Sequence, residues 1–242
     1  MVRSERTKIE GKARGEWLEA GSFAYGFMAL GLLIQVFTYF VSSQLSAVNY
    51  QLSIISLIIG CLGVFSVCLT AQRNILTYVF GFAQVITYTW LCFTQRFYAE
   101  IAINAYYFTT MIYGVFVWRK RREAGGDRMK VEPRRLAKWV FAVIALGAFG
   151  LSWLAGWGLA AWTDDTQPYL DAFTTVPALV AQVLMILVYR EHWFLWLAVD
   201  VLSVVLWCRA GDWCMVAQYA FWCLNCLYGL YLWRSSSGIR KE

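Results

Sequence analysis

The sequence predicts an all-α integral membrane protein of two parallel three-helix repeats joined by one linker helix (3+1+3), with one extra helix at the N-terminus. Three observations lead there: long uncharged runs, a one-sided distribution of basic residues, and an internal match at an offset of 115 residues.

Of 242 residues, 60% are hydrophobic and 18% aromatic, which leaves too little polar surface to cover a water-soluble domain. Between Glu19 and Arg73 no residue carries a formal charge for 53 positions, whereas about 20 apolar residues cross the hydrocarbon core. That stretch therefore holds two spans, with the polar turn Ser43–Tyr50 between them. The first span is expected to be retained rather than cleaved as a signal peptide. It is 22 residues long, lacks a small-residue cleavage site and leads directly into a second span.

Further spans fall near 75–95, 101–118, 139–163, 172–189, 193–208 and 213–233, which makes eight. The resulting organisation is a basic N-terminus (1–20), an accessory helix (21–42), a first repeat (50–118), a basic loop (119–138), a linker helix (139–163), a second repeat (172–233) and a tail (234–242).

With eight spans the loops alternate sides, and 19 of the 21 Lys and Arg residues then share one side. By the positive-inside rule both termini and the basic loop are cytoplasmic, facing anionic lipid headgroups. The loop lacks interleaved aromatics or a recognisable module, so no nucleic-acid partner is expected.

The repeat is clearest where two spans end. Tyr113, Gly114, Trp118 and Arg119 recur as Tyr228, Gly229, Trp233 and Arg234, and the register extends back through Tyr98 and Trp213, Ala102 and Ala217, and Ala105 and Ala220. A single joining helix makes the two units parallel, a plan in which substrate binds between the halves near the midplane.

Asp200 is the acidic residue placed near the middle of a span, where a carboxylate is costly unless it faces a cavity or partner. Trp193, Trp196 and Asp200 stand at i, i+3 and i+7 on one helical face, which suits a flat cationic ring. The bland alternative places the tryptophans in the interfacial aromatic belt. Gln84, Asn104, Tyr107, Tyr219 and Asn225 supply donors and acceptors for sugar hydroxyls or a carboxamide, or else hold the bundle together. In that reading Gln84 lies roughly opposite Asp200 with a one-residue shift, and Asn74 and His192 flank helix starts in solvated or capping roles. Pro177 and Gly60 are candidate hinges.

Seven cysteines sit inside or at the ends of spans and read as small buried thiols. The Cys223–Cys226 pair stands alone beside a single His, so no metal site or cofactor is expected. A membrane enzyme would need a catalytic constellation, and no catalytic residue is assigned. A scaffold would not bind a defined small molecule.

The pattern Trp193-Phe-Leu-Trp196-x-x-x-Asp200-x-x-Ser203, with Tyr219 and the Gly229 to Trp233 ending, resembles the PnuC family of bacterial nicotinamide riboside transporters, which are SWEET-like in plan. The first unit, with Tyr98-Ala99, Asn104-Ala-Tyr-Tyr107 and Tyr113-Gly114 to Trp118, shares the resemblance. The resemblance implies import of nicotinamide riboside by facilitated diffusion across the bacterial inner membrane, with cytoplasmic phosphorylation trapping the product. Thiamine and riboflavin carriers share the plan and are the alternatives. It is also in keeping with a homo-oligomer.

Overall fold

The computed structural model describes residues 22–41, 50–95, 98–125, 129–164, 166–211 and 213–235. The basic N-terminus 1–20, the polar turn 43–49 and the tail beyond Ser235 lie outside them. The described residues form eight α-helices: α1 (Ser22–Val41), α2 (Tyr50–Ala71), α3 (Thr77–Gln95), α4 (Tyr98–Gly125), α5 (Lys138–Trp162), α6 (Pro168–Ile186), α7 (His192–Ala210) and α8 (Trp213–Ser235). Six of them, α1, α2, α4, α5, α6 and α7, are long and apolar enough to cross a membrane. The other two, α3 and α8, have the length but are less apolar along it.

Two helices differ from the sequence expectation: α6 runs from Pro168 to Ile186 rather than from 172 to 189, and α4 is longer. The α4 helix continues past Trp118 to Gly125, so Arg119–Arg122 form helical turns rather than part of a loop. Charge marks where a helix leaves the hydrocarbon, and nothing in a run of arginines stops the backbone hydrogen-bond ladder.

Backbone features recur at the 115-residue offset. Arg73 and Val188 are the non-glycine residues with positive φ among those described, both at 63°. Arg73 N donates to Thr70 O and Val188 N to Met185 O, both at 2.9 Å, and Asn74 N to Leu69 O matches Tyr189 N to Leu184 O, also both at 2.9 Å. The turn that ends α2 is thus reproduced at the end of α6, and α3 and α7 start at equivalent positions, Thr77 and His192.

Helix packing follows the same offset. Helix α2 lies against α8, and α4 against α6. Lipid tails are as apolar as the side chains, so helix association relies on close packing and interhelical hydrogen bonds. Gly114 lets α4 approach Tyr78 of α3, and Gly229 lets α8 approach Trp193 of α7. Trp118 Nε1 donates to Met185 O at 3.2 Å, while Trp233 Nε1 donates to Thr70 O at 3.2 Å and Ala71 O at 3.1 Å.

The buried cluster at this end of the bundle joins Tyr78, Met111, Trp118, Trp193, Cys226 and Trp233. Helix α1 packs outside α2 and α8, with Phe27 stacked on Phe221 at 5.0 Å. Helix α5 packs on α6, where Phe149 meets Phe173 edge-on at 5.1 Å.

The segment from Met129 to Leu136 runs under both turns. Ile75 N donates to Met129 O and Val131 N to Arg73 O, each at 3.0 Å. Farther on, Arg134 N donates to Val188 O at 2.7 Å, Arg190 N to Arg134 O at 3.0 Å, and Leu136 N to Glu191 Oε2 at 3.1 Å. The Arg134 guanidinium lies 4.5 Å over the Tyr189 ring.

Candidate functional site

Helix α7 carries the costly residue. Asp200 is 4% exposed, and the thiol of Cys226 on α8 donates to its Oδ2 at 3.2 Å. Ser203, one turn farther along the same face, is also buried. Toward the start of α7, Trp196 is half-buried and packs against the central cluster and against the Ala181, Leu184 and Leu195 cluster.

Trp193 is more enclosed. Its ring is 4.5 Å from His192 and 6.0 Å from Trp233, and its Nε1 is buried without a hydrogen-bond partner. It therefore serves as a packed wall under Gly229. His192 is fully buried, with Nδ1 2.6 Å from Tyr189 O, which corrects the expectation of a solvated ring at a helix start. Trp193 and Trp233 pack around it, and apolar packing of this kind has no periodic signature in sequence. Asn74 caps its turn, accepting from Leu76 N at 2.9 Å.

The other candidates are distributed over α3, α4 and α8. The 115-residue offset realised in the backbone puts Val85, not Gln84, at the position equivalent to Asp200. Gln84 instead lies against Gly63 of α2, because a one-residue step turns a helical side chain by about 100°. Asn225 Nδ2 donates to Val67 O on α2 at 3.3 Å, and its Oδ1 is buried without a partner. Asn104 is buried on α4, and Tyr107 is half-buried beside Tyr106, whose hydroxyl donates to Leu179 O of α6 at 2.8 Å. Tyr219 meets Trp222 edge-on at 5.1 Å.

The contacts thus bring Trp193, Trp196 and, through Cys226, Asp200 to one buried core. They tie Asn225 to α2, and on α4 it is Tyr106, the neighbour of Tyr107, that bonds to α6. Pro177 lies inside α6 and Gly60 in α2, where Gln35 of α1 lies against it. Cys226 is the polar partner that sequence reading missed, because a cysteine on an apolar helix gives no sign of what faces it.

Charge is arranged in the same sense. Within the described spans Lys and Arg occur only at helix ends, and Asp200 is the acid in the middle of one. At the end carrying the two turns, partial burial holds Arg190 below its ordinary pKa and neighbouring Arg135 adds to the shift, while Glu191 acts the opposite way. An apolar groove of about 550 Å³ between α1 and α8 is lined by Phe23, Phe27, Leu224, Tyr228, Tyr231 and Leu232 and contains none of the candidate residues.

Comparison with known proteins gives a consistent set of relatives. A family model described as nicotinamide mononucleotide transporter matches residues 53–235. A nicotinamide riboside transporter PnuC from Neisseria mucosa is 30% identical over 221 residues, covering 85% of this chain and 78% of that protein. Its namesake in Haemophilus influenzae is 27% identical over 214 residues, covering 87% of this chain and 89% of that protein. A solved structure described as the crystal structure of the vitamin B3 transporter PnuC is similar with a TM-score of 0.68 at 25% identity, covering 88% of this chain and 91% of that one.

Proposed function

The chain belongs to the nicotinamide mononucleotide transporter family, and from that premise we propose that it imports nicotinamide riboside by facilitated diffusion across the bacterial inner membrane. It is a membrane transporter and not an enzyme, as its family is. The family description names the mononucleotide, whereas the similar proteins are named for the riboside. One observation favours the riboside: the charge in the middle of the described spans is the Asp200 carboxylate, and Lys and Arg are confined to helix ends. A phosphate dianion brought there would meet repulsion and no counter-charge, whereas a pyridinium ring gains Coulomb attraction.

In this reading α2–α4 and α6–α8 are two parallel repeats, α5 is the linker and α1 is accessory. The shared φ of Arg73 and Val188 and the reciprocal tryptophan bonds support it. Both termini are cytoplasmic, which the one-sided basic residues support. Substrate binds between the halves, with Trp196 against the ring and Asp200 near its charge. Asn104, Tyr107, Tyr219, Gln84 and Asn225 are held for the ribose and carboxamide, and Trp193 backs the site. Pro177 and Gly60 allow α6 and α2 to bend, and cytoplasmic phosphorylation traps the product.

Uptake of labelled nicotinamide riboside into proteoliposomes tests the proposal. The expected result is equilibration without accumulation, inhibited by unlabelled riboside and far less by the mononucleotide, thiamine or riboflavin. Accumulation that collapses with the proton gradient would replace facilitated diffusion with coupled transport, and stronger inhibition by thiamine would reassign the substrate.

A further inference from the structure

We propose that Cys226 is a positioning residue for Asp200: its thiol holds one carboxylate oxygen so that the other is presented to the bound cation. The proposal rests on the reading that Asp200 faces the substrate.

Asp200 and Cys226 are 4% and 3% exposed, and the thiol reaches Oδ2 at 3.2 Å from the neighbouring helix. A buried carboxylate needs a donor to fix its plane. The type of donor decides what charge remains. An arginine or lysine would neutralise the carboxylate and compete with a cationic ligand, whereas a thiol is a weak, uncharged donor. It orients Oδ2 and leaves the net negative charge in place, with Oδ1 free of this bond.

A comparison within the chain supports pairing the two residues. At the 115-residue offset the counterparts of Asp200 and Cys226 are Val85 and Met111. Both are apolar and belong to the same central cluster as Cys226. The first unit thus carries neither the acid nor the donor, and the second carries both. A cysteine kept only to fill space would have no reason to accompany the acid. The adjacent Asn225 is directed elsewhere, to Val67 O of α2, so successive positions of α8 serve different helices.

The test uses the full chain in nanodiscs and reads the ratio of affinities for nicotinamide riboside and its reduced, uncharged form. Cys226→Ala and Cys226→Val remove the donor, Ala being smaller than the thiol and Val larger by about a methyl group, and each is expected to lower the preference for the charged form about three- to tenfold. Cys226→Ser keeps a donor and is expected to stay within about twofold of the wild type. On an Asp200→Asn background, Cys226→Val is expected to change the ratio no further. The proposal fails if Cys226→Val retains the wild-type preference while Asp200→Asn abolishes it. If Asp200→Asn itself leaves the ratio unchanged, the underlying reading of Asp200 is what fails.

Discussion

Trp118 and Trp233 stand 115 residues apart, and each donates its indole N–H to one of the two matched turns, Trp118 to Met185 O at the end of α6 and Trp233 to Thr70 O at the end of α2, both at 3.2 Å. The acceptors are themselves 115 residues apart. Both rings are fully buried, with centroids 6.2 Å apart, so the exchange forms a two-way tie at the centre of the interface.

Trp118→Phe and Trp233→Phe are each expected to destabilise the protein by about 1 to 3 kcal/mol, because each removes an indole hydrogen bond to a turn carbonyl and leaves a gap where a fully buried ring was. Since the rings touch, the double variant should depart from additivity by at least about 0.5 kcal/mol. Thermal unfolding in detergent with the two single variants and the pair measures both effects.

Glycine at 229 is required by close approach. A Cβ there would come 2.5 Å from the Trp193 ring, which is hemmed in by His192 and Trp233. Gly229→Ala should therefore cost about 1 to 3 kcal/mol, as overpacking does, and Gly114→Ala should cost a similar amount against the Tyr78 hydroxyl. Yield of monodisperse protein and unfolding temperature check this against Gly147→Ala, where nothing lies within 4 Å.

Arg73 and Val188 share a φ of 63°, but the same substitution should act on them in opposite directions. Glycine relieves about 1 to 2 kcal/mol of left-handed strain at either position. Val188 is fully buried, and losing that side chain costs about 1.5 to 3 kcal/mol, so Val188→Gly should be destabilising. Arg73 is half-buried and has less packing to lose, so Arg73→Gly should be neutral or stabilising.

Trp196→Ala should weaken nicotinamide riboside binding by about 1 to 3 kcal/mol, a five-fold to more than hundred-fold loss, without unfolding the protein. Trp193→Ala removes a core wall and should lower stability as well as affinity. Calorimetric titration and unfolding of the two variants separate a ligand contact from a packing residue. Unchanged affinity in folded Trp196→Ala would move the site to another face.

Cys208 is exposed at the end of α7 opposite the two turns, and it should react with an impermeant maleimide added to intact cells. In a Cys208→Ser, Cys214→Ser background, Thr166→Cys should also react from outside and Lys120→Cys only after permeabilisation. The reverse pattern would invert the orientation.

The eight helices were legible because uncharged runs of span length have few alternatives in water, and the offset of 115 was legible because Tyr-Gly and Trp-Arg recur at two helix ends. Charge reports the membrane boundary and not the helix end, so the extension of α4 to Gly125 was not legible. The one-residue slip that set Gln84 opposite Asp200 arose because weak side-chain similarity fixes a register less tightly than backbone hydrogen bonds do. Asp200 announced itself through its cost in hydrocarbon. Its thiol partner could not, since which helices become neighbours is decided by tertiary packing.

The segment from Met129 to Leu136 makes the end of the bundle that holds the turns an asymmetric seam. It is fastened to the α2–α3 turn by two main-chain hydrogen bonds, and to the α6–α7 turn by two more, a carboxylate acceptor and the Arg134–Tyr189 contact. Any motion that separates the turns must break main-chain bonds on one side of this strip, so a label on Val131 should change its distance to one of Arg73 and Tyr189 while keeping its distance to the other.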